Sequence, residues 1–279
     1  MVDWDRRTPW RQGHVLATET VTALNLVPDT DLANAVVVVV SHDCDLAQHA
    51  GIEPSVEVIV GRRVNAADGN FTHGKNPRRL HLFAVEAGDT MCVELTATAR
   101  QSIPKENLVG HAPSATTVID AANRATLQFW LAARYRRSAF PDDFESYLDK
   151  KGIARRLAKI LEPLGNHIVA VFFDVDEGVE RAHESADDPF TLSIDLLYST
   201  GIDPTAAEVA ATQAAEKIKK VFRDRCFDAK SQRWTAIELV ECTPISDEAL
   251  TYAMSLRLKR WSADYISLRA DPAQPMIDE

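Results

Sequence analysis

One stretch constrains this chain more than any other. Six apolar residues, Ala35 to Val40, five of them valine, run straight into Ser41-His42-Asp43-Cys44-Asp45. β-Branched side chains are stiff about χ1 and favour extended backbone. A run with no polar alternation predicts a strand covered on both faces, central in a sheet. It is strand length, well short of the roughly 18 apolar residues of a membrane span. Five polar or reactive residues directly beyond a buried strand mark the place where open α/β sheets hold ligands. In extended backbone, Asp43 and Asp45 project to one side, with His42 and Cys44 on the other. Two neighbouring carboxylates hold a metal, orient a water, or push their pKa values apart. The structural alternative is that an aspartate caps a following helical turn while Cys44 packs as a small apolar residue.

The rest of the chain predicts an α/β fold. Ser55 to Val64 alternates apolar and polar residues, and a loop from Asn65 to Pro77 follows, broken by Gly69 and Gly74. Arg79 to Val85 and Met91 to Ala99 also alternate, giving a mixed or antiparallel sheet in the N-terminal half. Thr116 to Tyr135 and Asp142 to Leu161 carry helical spacing, the second interrupted near Gly152 and stopped by Pro163. His167 to Val175 and Phe190 to Tyr198 read as strands, and Asp174-Val175-Asp176 before Gly178 as a turn. Asp203 and Pro204 open a long helix to about Arg225, as N-cap and first helical residue. Trp234 to Val240 is a further strand, and Ser246 opens a last helix to about Trp261. The expected parts are a sheet-rich 1–115 carrying the site, a helical connector 116–163, and a β-β-α-β-α part 164–279.

Apolar residues at 46% and charged residues at 26% are ordinary for a globular chain. Cys44, Cys92, Cys226 and Cys242 are widely spaced and form no C-x-x-C pair, which argues against a disulfide framework and a cysteine-only zinc site. The start, Met1 to Arg7, has no apolar stretch behind basic residues, so a cytoplasmic protein without a membrane segment is expected. A net charge of −10 argues against a general nucleic-acid coat. Two segments are locally basic all the same, Arg134 to Lys159 and Lys217 to Arg233. Solvated helix faces are the plain account of both; as phosphate contacts, they nominate Arg136, Arg137, Lys217, Lys219 and Lys220.

Two resemblances rest on these residues. The valine strand ending in Ser-His-Asp-Cys-Asp resembles a bacterial family with Ser-(His/Gln)-x-Cys-Asp at a strand end, associated with phage-defence neighbourhoods. Arg11-Gln12-Gly13 and Arg134 to Pro141 extend that likeness, which implies a defence role and no particular chemistry. Ser41-His42-Asp43 also resembles the Gly-Gln-Asp at a strand end of the uracil-DNA glycosylase superfamily. His111-Ala112-Pro113-Ser114 is similar to that superfamily's His-Pro-Ser, with an added alanine. The proline and tyrosine that follow its aspartate are here Cys44 and Asp45.

The second resemblance implies a hydrolase that removes a base, plausibly a modified one, from DNA without metal or cofactor. Asp43 would activate water, and Asp45 would stabilise the oxocarbenium-like sugar or orient the site. His42 would assist the departing base. Ser41 and Cys44 would border the base, and Trp10, Phe71 and Tyr135 would stack on it once flipped, although core packing is the ordinary role of such aromatics. A magnesium nuclease using Asp43, Asp45 and Glu57 is the first rival. Its usual Glu-x-Lys strand is missing, since no lysine stands two positions after Glu57, Glu94, Asp195 or Glu238. A Cys44 nucleophile is opposed by Asp43 and Asp45, which disfavour a thiolate. The remaining rival is a non-enzymatic sensor or partner subunit of a defence system.

Overall fold

The computed structural model describes residues 4–28, 30–133, 140–179, 181–183, 185–251, 254 and 258–262. In it the valine run is strand β1 (Ala35–Val39). Val36, Val38 and Val40 share one apolar cluster with Leu80, Leu82, Val93, Leu95 and Trp130. Val37 and Val39 share another with Trp4, Trp10, Leu46, Val56 and Leu108. Both faces are buried, as the unbroken run requires. The strand is not central, however, but stands at one end of its sheet. Residues 13–16 cover its outer edge: Gly13 N–H donates to Val39 O at 2.8 Å, Val39 N–H to His14 O at 2.8 Å, and Leu16 N–H to Val37 O at 2.9 Å.

The chain divides into two units, residues 1–67 with 77–134, and residues 68–76 with 135–279. In the first, helices α1 (Thr18–Ala23) and α2 (Asp43–Leu46) flank β1 in sequence. Then come β2 (Ser55–Val64), β3 (Arg79–Glu86), β4 (Asp89–Thr96), β5 (Arg100–Pro104), α3 (Lys105–Leu108), β6 (Thr117–Val118) and α4 (Ala121–Ala133). The sheet runs β1-β2-β4-β3-β6, with β5 also paired to β2. One edge of β2 is shared, Ser55–Ile59 pairing with β5 and Arg62–Val64 with β4. That division curls the sheet. Gly61 sits at the join, where a Cβ would lie 2.5 Å from Leu95 Cδ2 and 2.8 Å from Glu94 O, so only glycine admits the approach. Every pair in this sheet is antiparallel. The mixed sheet expected here is found in the second unit.

The second unit contains α5 (Asp142–Lys150), α6 (Ile153–Leu161), β7 (Ile168–Val175), β8 (Phe190–Tyr198) and α7 (Pro204–Cys226). It continues with β9 (Phe227–Asp228), β10 (Arg233–Trp234), β11 (Ile237–Ser246) and β12 (Lys259–Arg260). Its sheet runs β11-β8-β7-β12. β7 and β8 are an antiparallel pair, and β8 and β11 are parallel, joined by α7 as a crossover helix. Helices α5, α6 and α7 bury Phe144, Leu157, Ala211, Ile218 and Phe222 in one core with Ile168, Phe173, Leu192 and Ile194 of the sheet. The helices expected over 116–163 therefore divide, α4 with the first unit and α5 and α6 with the second. The last helix expected from Ser246 to about Trp261 is corrected. Ser246 ends β11, residues 247–249 form a turn and Lys259–Arg260 is strand β12, while 252, 253 and 255–257 lie outside the described residues. None of the described helices is long and apolar enough to cross a membrane.

The loop expected between β2 and β3 is not an open one. Residues 70–72 and 74–77 are buried, and the segment is anchored within the second unit. Gly69 N–H donates to Glu162 O at 3.0 Å, and Asn70 Nδ2 to Ala158 O at 3.2 Å. A Cβ on Gly69 would stand 2.3 Å from Glu162 O, so this contact also requires glycine.

Candidate functional site

β1 ends at Val39, and the chain turns at once into the single helical turn of α2. His42 is its N-cap, with Nδ1 accepting the Cys44 N–H at 3.3 Å. Helical backbone separates consecutive side chains by about 100°, so Asp43 and Asp45 lie well apart around the axis instead of side by side. This corrects the extended arrangement: the cap outcompetes continuation of the strand. His42, Asp43, Cys44 and Asp45 are all exposed, whereas Ser41 and Leu46 are buried.

The buried polar atoms around this turn hold backbone. Ser41 Oγ accepts the Glu57 N–H at 2.8 Å. Asp43 Oδ1 accepts the Gln12 N–H at 2.8 Å, and Gln12 Nε2 donates to Val40 O at 2.8 Å. Gln128 Nε2 of α4 donates in turn to Gln12 Oε1 at 3.0 Å. Arg11-Gln12-Gly13 and Ser41 to Asp45, read above as one motif from separate places, are thus in direct contact. The far end of α2 is closed by Lys105, whose Nζ donates to Asp45 O at 2.7 Å and Gln48 O at 2.9 Å. Trp4 Nε1 donates to Leu46 O at 2.7 Å. Burial holds the Lys105 amine below its ordinary pKa, while the charges of Glu53 and Asp45 pull it back up.

The other nominated residues are not gathered around the turn. Trp10 is wholly buried in the first unit's core, which removes it as a stacking surface. Phe71 is buried in segment 68–76 of the second unit, and the same correction applies. Both read as polar-loop aromatics in sequence because their cores are built by residues distant along the chain. Tyr135, Arg136 and Arg137 lie outside the described residues. Lys217, Lys219 and Lys220 are exposed on α7, with Lys219 paired to Glu216 at 2.9 Å. Glu57 pairs with Arg100 at 3.0 Å. Among the described residues no three His, Cys, Asp or Glu side chains gather as a metal-binding group, which removes the Asp43, Asp45 and Glu57 triad.

Two buried charge clusters escaped the sequence reading. On the first sheet, Glu94 lies opposite both Arg62 and His81 in the strand register. Its carboxylate accepts from Arg62 Nε at 2.9 Å and lies 3.0 Å from His81 Nε2. The His81 hydrogen bond, and then Arg62, hold that carboxyl at about 2 despite burial. In the second unit Asp176 accepts the Thr191 N–H at 2.9 Å and lies 2.8 Å from His183 Nε2. This closes the connection between β7 and β8. For Glu94 the available signal was a polar residue at the same alternating position of neighbouring strands, legible only once the register is known.

No protein-family model, curated protein or solved structure matches this chain.

Proposed function

We propose that this chain is a DNA-binding protein that grips the phosphate backbone with the helix layer of its second unit. One observation carries the reading: α6 packs against α7 on the same face of the sheet, so two basic segments distant in sequence share one outer surface. From Lys150 to Leu161 there are five cations and no acid; from Lys217 to Arg225 there are five cations and one acid. Arg155, Arg156, Lys159, Lys217, Lys220, Arg223 and Arg225 are exposed, while the apolar stripes between them fill the core. Packed helix axes lie about 8–10 Å apart, so exposed cations of both helices come within reach of one duplex. In a chain of net charge −10, so local a positive field directs a polyanion to one face.

Binding of a fluorescent 25-base-pair duplex, followed by anisotropy at low salt, tests this. Arg155→Glu with Lys220→Glu lowers affinity about tenfold or more, and the same charge change made as Arg6→Glu with Arg7→Glu, at two exposed positions of the first unit, leaves it nearly unaltered. Equal loss in both variants, or no binding by wild type, rejects the reading.

Base excision at Asp43 is the second reading, and a specific observation favours it. Asp43 Oδ1 is fixed by the Gln12 N–H, while Oδ2 makes no hydrogen bond among the described residues on an exposed side chain next to His42. An oriented carboxylate with one oxygen open to water is what water activation requires. Alkali-labile breaks in modified phage DNA, formed in EDTA by wild type and absent with Asp43→Asn, would establish it. Their absence leaves the turn a structural staple.

A further inference from the structure

Helix α4 lays two side chains, one turn apart on the same face, against the segment that holds Asp43. Gln128 is committed there, its Nε2 donating to Gln12 Oε1 at 3.0 Å. Arg124 is not. Its stem lies on Gly13, where a Cβ would stand 2.6 Å from Arg124 Cγ and 2.9 Å from Cδ, so the bare glycine is what seats the stem. The residue is half-buried, and its guanidinium makes no hydrogen bond or ion pair among the described residues. Neighbouring groups are engaged elsewhere. Asp120 Oδ1 accepts from the Asn123 N–H at 2.7 Å and from Asn123 Nδ2 at 3.1 Å. Arg11 Nη1 donates to Thr8 O at 2.8 Å and Trp10 O at 2.7 Å, and His14 Nδ1 accepts the Arg11 N–H at 3.1 Å. The local field is positive: burial first, then the charges of Arg124 and Arg11, hold the His14 ring below its ordinary range, against Asp43 and the Pro9 carbonyl.

We propose that Arg124 is the phosphate contact of the Asp43 site. The ligand follows from the base-excision reading, on which this inference rests: the substrate is a nucleic-acid strand, and its anionic groups are phosphates. A guanidinium presents paired N–H donors that match two oxygens of one phosphate. Held on a seated stem, it loses little freedom when the anion arrives. Gly13, under the stem of Arg124, follows directly on Gln12, whose N–H fixes Asp43 Oδ1 at 2.8 Å. One short segment therefore positions both the carboxylate and the cation. Arg124 positions the substrate by its phosphate and takes no part in breaking the glycosidic bond.

The test is amide NMR of the intact ¹⁵N-labelled protein at low salt, titrated with a thymidine tetranucleotide and, in a second arm, with inorganic phosphate. The Gly13 and His14 signals report on this segment, so binding at α6 and α7 does not obscure them. The expected result is a saturable shift at both amides, about tenfold or more weaker in Arg124→Gln and unchanged in Arg6→Gln. If Arg124→Gln loses the native spectrum, Arg124→Lys takes its place; it keeps stem and charge without the paired donors, and is expected to bind less tightly than wild type. Shifts with both probes support a contact to any phosphate, and shifts with the tetranucleotide alone support one to a strand diester. No saturable shift, a shift with inorganic phosphate alone, or one that Arg124→Gln and Arg124→Lys leave unchanged overturns the proposal. Abasic sites are scored separately. An Arg124-dependent shift in a protein that forms none rejects excision at Asp43 and leaves the phosphate contact standing; abasic sites without such a shift do the reverse.

Discussion

Glu94 and Lys105 are buried ions held in different ways, and the difference predicts how each responds to change. Lys105 is wholly buried, gives hydrogen bonds to two carbonyls, and lies 5.5 Å over the Trp4 ring. Its charge meets dipoles. Glu94 meets Arg62 and His81, and its folded pKa is held at about 2 against an ordinary 4.5. For an acid with a lowered folded pKa, the unfolded chain binds the proton more readily. The contribution is therefore complete above about pH 4.5 and is lost as pH falls towards 2. Its size is on the order of 3 kcal/mol. Glu94→Gln should be less stable than wild type by about that amount at pH 7 in urea unfolding, with the gap closing towards pH 3. A gap of constant size across that range would mean that shape, not charge, is what Glu94 supplies.

At the scale of elements, α7 has the most explicit local instructions. Asp203 Oδ1 accepts the Ala206 N–H at 2.9 Å, and Pro204 takes the first helical position. Asp203→Ala should cost about 1 kcal/mol, visible as a lowered urea midpoint at unchanged slope. This helix was legible in the sequence because cap, proline and apolar spacing all lie within a few residues of one another. β1, β7 and β8 were legible for the same reason. Where the sequence misled, the deciding partner was remote. The single turn of α2 depends on His42 as cap but also on Lys105 and Trp4, some 60 and 40 residues away. Segment 68–76 has the composition of a solvated loop, and its burial is set by Glu162, Gly165 and Ile168. Of the candidate site, the position of the Ser41 to Asp45 cluster at a strand end was legible. Its helical geometry, and the commitment of Asp43 to the Gln12 N–H, were not.

At the scale of the whole molecule, charge is distributed unevenly. The chain carries −10 overall, yet α6 carries three cations and no acid, and the C-terminal part of α7 from Lys217 to Arg225 carries five cations and one acid. Folding creates that surface, since α6 and α7 are separated by two strands in sequence and packed together over one core. The cations are exposed and contribute little to stability, so their removal should alter binding without altering the fold.

The most direct test is therefore the salt dependence of duplex DNA affinity, comparing wild type with Arg155→Gln/Lys220→Gln. Each phosphate contact releases condensed counterions and contributes about 0.9 to the slope of log affinity against log salt. A steep negative slope for wild type, shallower by about 1.8 in the double variant, is the result expected if α6 and α7 meet the backbone. A slope near zero, or one that the double variant leaves unchanged, would contradict it.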